Sequence, residues 1–418
     1  MHSRSRISIG FQQATLAIFI ACAAVGAYAQ TAESSASLKA TFDAAWARQP
    51  EFQALAGRRD VVQANRRAAS AWTPEAPALE LTHKTDRLTR NDGSREFEVG
   101  IAVPLWLPGE RRSSGALVDA ESAAVESRAE AARLRLAATV REAWWNCQRA
   151  RNSVDMAHAQ LENARLIARD VARRTRAGDL ARADQHQADG AVAAAEAGAA
   201  QAEAERITAL QQLKALTGST SAVEPAPPDF RAEAEPSGSE LAVHPALVEL
   251  QDRAKVAERT AALAATRSRA NPELTLATTR DRGGAGERYG HTVSVGIRIP
   301  LGAGPRYDSR IAAARADALE AQVQLELDQA RLQSDRETAV ARVGAARSQV
   351  VAAERRAILA RETRGFFDKS FRLGESDLPT RLRIENEANE AERQSARARI
   401  ELAAAISLWR QALGLLPQ

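Results

Sequence analysis

The chain repeats itself at a nearly constant offset, and this constrains its fold more than any other feature. EFEVGIAVPL at 96–105 returns as TVSVGIRIPL at 292–301, so that Phe97/Val293, Val99/Val295, Ile101/Ile297 and Val103/Ile299 all stand 196 residues apart. Upstream, Gln49-Pro50 answers to His244-Pro245, and APALELTHKTDR from Ala76 answers to NPELTLATTRDR from Asn271, both at 195. Downstream, Arg176-Ala177-Gly178 matches Arg372-Leu373-Gly374, again at 196. A register kept within one residue over roughly 130 positions means a tandem duplication of one structural unit.

Each unit has the same expected order. The first repeat, 30–216, contains a helix over about 36–70, strands over about 77–85 and 96–104, a long helix over 109–176 and a return helix over 180–216. The second, 241–418, contains a helix over about 241–269, strands over about 272–280 and 291–300, a long helix over 305–372 and a return helix over 378–414. Residues 217–240, rich in Pro, Ser and Gly and without helical period, read as the linker between the two.

Residues 1–29 read as a secretory signal: Arg4 and Arg6 precede the apolar run TLAIFIACAAVG, and Ala27-Tyr28-Ala29 supplies a small-residue cleavage site. Acylation of Cys22 is the alternative processing route, against which Phe19 stands at an unfavourable position. Losing the two signal arginines lowers the formal charge from +4 to +2, too little net positive charge to argue for nucleic acid as a partner. Only Cys147 remains after cleavage, so no internal disulfide is expected, and packing or oligomerisation must supply stability. No later stretch reaches the eighteen or so consecutive apolar residues that a spanning helix needs.

In the two repeated strands the apolar residues alternate strictly with small or polar ones. Phe97, Val99, Ile101 and Val103 oppose Glu98, Gly100 and Ala102; Val293, Val295, Ile297 and Ile299 oppose Ser294, Gly296 and Arg298. A soluble sheet with one face on a core would give this pattern, but no helix of ordinary length is set aside to cover it. In an exported chain the same pattern suits a lipid-facing barrel wall. Four strands cannot close a barrel, and lipid does not tolerate open edges, so the barrel must be shared between copies. Three copies give twelve strands.

The helices are rods rather than globular elements. Gly109 to Gly178 is 69 residues and Gly304 to Gly374 is 70, or about 100 Å each at 1.5 Å per residue. One small-residue seam, Ala312, Ala316, Leu319, Val323, Leu327 and Ala330, repeats 196 residues earlier as Ala116, Ala120, Ala123, Ser127, Ala131 and Leu134, which suits helices laid side by side in a wall.

The paired x-P-x-L segments at Pro77 and Pro272, the two V-G-I-x-[VI]-P-L strands and the tips RAGDLARAD (176–184) and RLGESDLPTRL (372–382) together resemble the TolC family of outer-membrane efflux channels. The resemblance implies a mainly α fold with a small membrane β part: a homotrimer with a 12-stranded β-barrel in outer-membrane lipid and a 12-helix periplasmic tunnel. It implies a passive duct that meets a periplasmic adaptor protein and, through it, an inner-membrane RND pump. Adaptor docking then falls on Arg176, Gly178, Arg372, Leu373, Gly374, Ser376 and Asp377. The acidic periplasmic gate falls on Asp184; the second copy departs from the pattern, with Thr380 and Arg383 in that region. The tips look most similar to the CzcC-like heavy-metal branch, with drug efflux and type I secretion channels of the same fold as alternatives. The histidines are scattered, and no metal site, cofactor site or catalytic constellation is visible in the residues. A periplasmic adaptor or a coiled-coil structural protein is the reading of another class; an adaptor would carry one hairpin, and a coiled coil would not need duplicated strands.

Overall fold

The computed structural model describes residues 37–218, 233–236, 244–301 and 304–418. The signal segment, Cys22 and most of the linker lie outside the described residues. The elements run α1 (Leu38–Ala47), α2 (Pro50–Ser70), β1 (Ala78–Thr85), β2 (Arg95–Pro104), α3 (Glu110–Ala177), α4 (Arg182–Thr217), α5 (Pro245–Thr266), β3 (Glu273–Arg282), β4 (Gly290–Arg298), α6 (Pro305–Leu373) and α7 (Leu378–Ala412).

Two expectations are corrected. The single helix over about 36–70 is two helices, broken at Gln49, which is held extended because Pro50 disfavours helical backbone in the residue before it. Proline then opens α2, where its missing N–H costs nothing. The last strand stops at Arg298 and leaves Ile299 outside the ladder. In the β3–β4 register the partner of Ile299 would be Pro272, which has no N–H to give, and the carbonyl of Pro272 is taken by the Leu105 N–H at 2.7 Å.

The four strands form one antiparallel sheet in the order β1-β2-β3-β4. Strands from the two repeats thus meet at its centre, Ile101 opposite Leu276, although some 175 residues separate them. Both outer edges, one on β1 and one on β4, have no strand partner among the described residues.

The long helices leave the sheet together. α3 lies beside α4 and α6 beside α7, while α2, α3, α5 and α6 make contact in that order across the layer nearer the sheet. The main core sits where α1 plugs the bundle: Leu38, Phe42 and Ala45 pack against Val140, Trp144, Trp145 and Ile400. Ser37 caps α1 by accepting the Ala40 N–H, and the Trp145 indole donates to Ser407 at 2.9 Å, so its one polar atom is satisfied inside the core.

The duplicated seam is used differently in its two copies. In α3, Ala120, Ser127, Ala131 and Leu134 are buried, Ala116 is half-buried and only Ala123 is exposed, because α3 has α2 on one flank and α5 on the other. In α6 the corresponding Ala316, Val323, Leu327 and Ala330 are exposed, because α5 covers only one flank.

Candidate functional site

In an antiparallel ladder directly paired residues share a face, so the register assigns every strand residue to one side of the sheet. One face carries the rows Leu79–Ile101–Leu276–Val295 and Leu81–Val99–Thr278–Val293, with Val103–Leu274–Ile297 on the helix side and His83–Phe97–Arg280–His291 on the loop side. Ten of its apolar side chains are 41–72% exposed, with no element among the described residues over them. A soluble chain rarely leaves so large a contiguous apolar area in water.

The opposite face carries Ala78, Glu80, Thr82 and Lys84; Glu96, Glu98, Gly100 and Ala102; Glu273, Thr275, Ala277, Thr279 and Asp281; and Gly290, Thr292, Ser294, Gly296 and Arg298. Gly100, Ala102 and Ala277 are buried there, which marks this side as the concave one. A side chain at Gly296 would meet the Thr275 hydroxyl at 2.8 Å, so the curvature also needs small residues. Lys84 pairs with Glu96 at 2.9 Å and Arg298 with Glu273 at 3.6 Å. Glu80, Glu98 and Asp281 have no ion pair among the described residues.

Of the eight residues expected to face lipid, Phe97, Val99, Ile101, Val103, Val293, Val295 and Ile297 share the bare face. Ile299 is the exception, exposed but beyond the ladder. Two exposed apolar residues at the sheet's helix end were not singled out from sequence, Trp72 at 95% and Leu301 at 90%; the WTP and IPL contexts were the available signals. Trp106 is partly covered and donates to the Ala71 carbonyl.

The joint between sheet and rods is built around Glu110. Its carboxylate is buried and accepts from the Leu107 N–H at 3.0 Å, Arg267 at 2.6 Å and Asn271 at 2.7 Å. Asn271 also donates to the Leu105 carbonyl, so one acidic side chain ties the end of β2 and the start of α3 to the α5–β3 turn.

At the far end, both hairpin tips use one device. Gly178 and Gly374 have φ +92° and +78°, values that L side chains resist, and each closes its helix with a Schellman pair: Gly178 and Asp179 bond back to Thr175 and Arg174, Gly374 and Glu375 to Phe371 and Ser370. The helix starts that follow divide a capping box between them. In the first tip Asp184 reaches back to the Ala181 N–H at 3.0 Å; in the second Asp377 accepts the Thr380 N–H at 3.1 Å. The Thr380 side chain first, and this backbone bond second, hold the Asp377 carboxyl below its ordinary range. Leu373 is 71% exposed at the apex, Arg372 pairs with Asp368, and Arg176 donates to the Ala172 carbonyl. Ser376 has a buried hydroxyl without a partner among the described residues.

Behind the apices the two tips are clamped together. Phe371 and Leu378 pack with Ile167, Val171 and Ala188. Arg174 and Arg381 stack on the Phe371 ring at 4.9 and 4.7 Å, and Arg381 reaches Asp368 at 2.6 Å and Asp170 at 3.8 Å. Burial is the main influence on Arg381, pushing its pKa down against the pull of Asp368 and Asp170. Arg176, Gly178, Arg372, Leu373, Gly374, Ser376 and Asp377 thus gather at one end of the molecule, with Asp184 in the first turn of α4.

An open sheet with one bare apolar face, standing on paired helices of 68 and 69 residues, has counterparts among solved structures. VceC, an outer membrane protein of Vibrio cholerae, superposes with a TM-score of 0.73 at 17% identity, covering 91% of this chain and 97% of its own. The chain has the TolC-like channel fold. The CmeC outer membrane channel of Campylobacter jejuni gives a TM-score of 0.73 at 15% identity, covering 90% of this chain and 85% of its own. CusC, whose structures are described in terms of folding and transmembrane channel formation, gives 0.74 at 16%, covering 91% and 92%. The profile of the outer membrane efflux protein family matches residues 41–219, which take in most of the first repeat of this TolC-like chain. None of the curated proteins compared with the chain matches it.

Proposed function

We propose that three copies of this chain form a passive exit duct across the outer membrane of a Gram-negative cell, and that the duct is the outermost part of a tripartite efflux system. The observation that carries the reading is the sheet: a bare apolar face toward lipid, a polar concave face toward a lumen, and two unpaired edges. Backbone N–H and C=O groups at an edge cannot stay unpaired in hydrocarbon, so β4 of one copy must pair with β1 of the next. Three copies give twelve strands.

The rods support the same closure. The exposed seam on α6 is the seam that α3 largely buries; α5 packs on α6 as its repeat counterpart α2 packs on α3, so α6 lacks the neighbour that α5 supplies to α3. An α2 from the next copy fills that place, and α2-α3-α5-α6 repeated three times gives a ring of twelve helices. No helix among the described residues is long and apolar enough to cross a membrane; the membrane segment in this reading is the sheet, and the rods cross the periplasm.

The tips then point at the inner membrane. Arg176, Gly178, Arg372, Leu373, Gly374, Ser376 and Asp377 are the surface offered to a periplasmic adaptor, which joins the duct to an RND pump that supplies the energy. Asp184 is the acidic candidate for the periplasmic gate. For cargo we favour heavy-metal cations: Glu80, Glu98 and Asp281 leave the concave strand face with uncompensated negative charge in each copy, which raises the local concentration of cations. Planar-bilayer recording of the purified protein tests the duct and its selectivity together. Pores that pass cations in preference to anions are expected, together with heavy-metal sensitivity in cells lacking the gene. Absence of any pore overturns the duct; pores without cation preference and sensitivity to drugs instead overturn the metal cargo.

A further inference from the structure

The convex face of the sheet changes character along its length. At the helix end and middle it is apolar; in its last rows before the β1–β2 and β3–β4 loops it carries His83, Arg95, Arg280, Arg282 and His291. The register puts Arg95 directly opposite Arg282, and Arg280 opposite His291. No strand residue on this face is acidic; the acids of the same rows, Glu96 and Asp281, project to the concave side. Two arginines in adjacent rows with a third beside them repel one another, yet none of Arg95, Arg280 and Arg282 pairs with an acidic side chain among the described residues.

The side chains are nevertheless arranged. Arg280 and Arg282 lie over the Tyr289 ring at 4.5 and 5.2 Å, and Arg282 donates its Nε hydrogen to the Gly93 carbonyl at 3.0 Å. The two loops are joined at the same place, the Ala285 N–H bonding to the Asp92 carbonyl at 2.8 Å. His83 stacks on Phe97 at 4.2 Å, which closes the apolar band directly beneath the charges. Guanidinium groups held by an aromatic ring keep most of their N–H donors free for an outside acceptor.

We propose that this belt binds the phosphate groups of phosphorylated lipid in the outward leaflet, each arginine facing lipid rather than the lumen. The occupant follows from position and charge: the belt continues the lipid-facing surface, lies at the level where acyl chains end and headgroups begin, and presents only cations. Arginine forks match phosphate oxygens in pairs. In the closed ring the belt would repeat three times around the barrel and hold anionic lipid as a collar.

The inference rests on the barrel reading, and the experiment separates the two. The full-length channel is reconstituted in phosphatidylcholine vesicles containing bis-phosphorylated lipid A, in vesicles containing dephosphorylated lipid A, and in the first vesicles with inorganic phosphate added. Lipid bound to the protein is then counted by native mass spectrometry. Wild type should retain the bis-phosphorylated lipid and not the dephosphorylated one, and inorganic phosphate should not displace it. With each surface arginine contributing a roughly five-fold gain, R95Q/R280Q/R282Q should lose on the order of a hundred-fold in affinity. R95K/R280K/R282K should keep most of it, which guards against a merely misfolded loop. Equal retention of both lipids by wild type, or undiminished binding by the glutamine variant, overturns the belt, as does full displacement by inorganic phosphate. Failure of wild type to insert into any vesicle condemns the barrel reading instead.

Discussion

Arg141 of α3 and Glu233 of the inter-repeat segment form a two-pronged ion pair, 2.9 and 2.6 Å long, with both side chains withdrawn from solvent. Arg410 of α7 approaches the same carboxylate at 3.4 Å and donates to the Ala234 carbonyl. One buried acid therefore serves two buried guanidinium groups from different repeats. Taking away one member of such a group costs more than the group contributes, because a desolvated charge is left behind. Glu233→Ala is expected to lower stability by about 3–5 kcal/mol, and Glu233→Gln by less, since it keeps acceptor capacity. Thermal unfolding followed by circular dichroism checks the order; an alanine variant as stable as wild type would show that the pair is not a structural tie.

His244 gives a pH dependence. It stands before Pro245 at the start of α5 and packs on Gly414, where a side chain would meet Pro245 at 2.6 Å. Burial pushes its pKa below the ordinary 6.5, with a backbone bond to Gln411 pulling the other way. The folded protein therefore binds fewer protons than the unfolded chain in the window beneath 6.5, and stability rises with pH there. Melting temperature should fall as the pH drops below about 6.5, and His244→Gln should flatten that limb. An unchanged limb in the variant would assign the effect to other groups.

The strand faces are tested by a pair of substitutions next to each other in β4. Val295→Arg places a charge in the middle of the apolar face at a cost of about 2–4 kcal/mol per copy, and should remove the protein from the outer-membrane fraction. Ser294→Arg enters the concave side and should leave assembly intact while weakening cation preference. The reverse outcome would mean that the faces are exchanged.

The tip glycines carry a smaller prediction. With φ +78° at Gly374 and open space around it, Gly374→Ala should cost roughly 1–2 kcal/mol of helix-end stability from left-handed strain without a packing clash. Leu373→Glu at the same apex should leave the melting temperature alone and weaken cross-linking to the adaptor. Cross-linking that survives both changes would move docking away from the second tip.

The parts of this molecule that were legible in the sequence are those specified locally. Period-two alternation put Phe97, Val99, Ile101 and Val103 on one face, and a glycine after a long helical pattern marked each tip, because both signals need only neighbouring residues. Asp184 was visible as an acid past the first tip; its bond to the Ala181 N–H shows why the second copy lacks it, since Asp377 performs the complementary half of the cap. What sequence could not supply was pairing over distance. Nothing in the neighbourhood of Glu110 announces Arg267, 157 residues away, and nothing near Arg141 announces Glu233. The seam misled in a different way: the same spacing is a buried contact in α3 and an uncovered surface in α6, because position in the layer, not pattern, decides which neighbour is present.

The number of copies in the purified assembly is the central quantity. Native mass spectrometry of the detergent-solubilised full chain, with a heated aliquot run beside it, should give a single species of three copies that dissociates on heating. A monodisperse monomer that stays soluble without detergent would contradict the account, because it would leave the apolar face of β1–β4 and both sheet edges open to water.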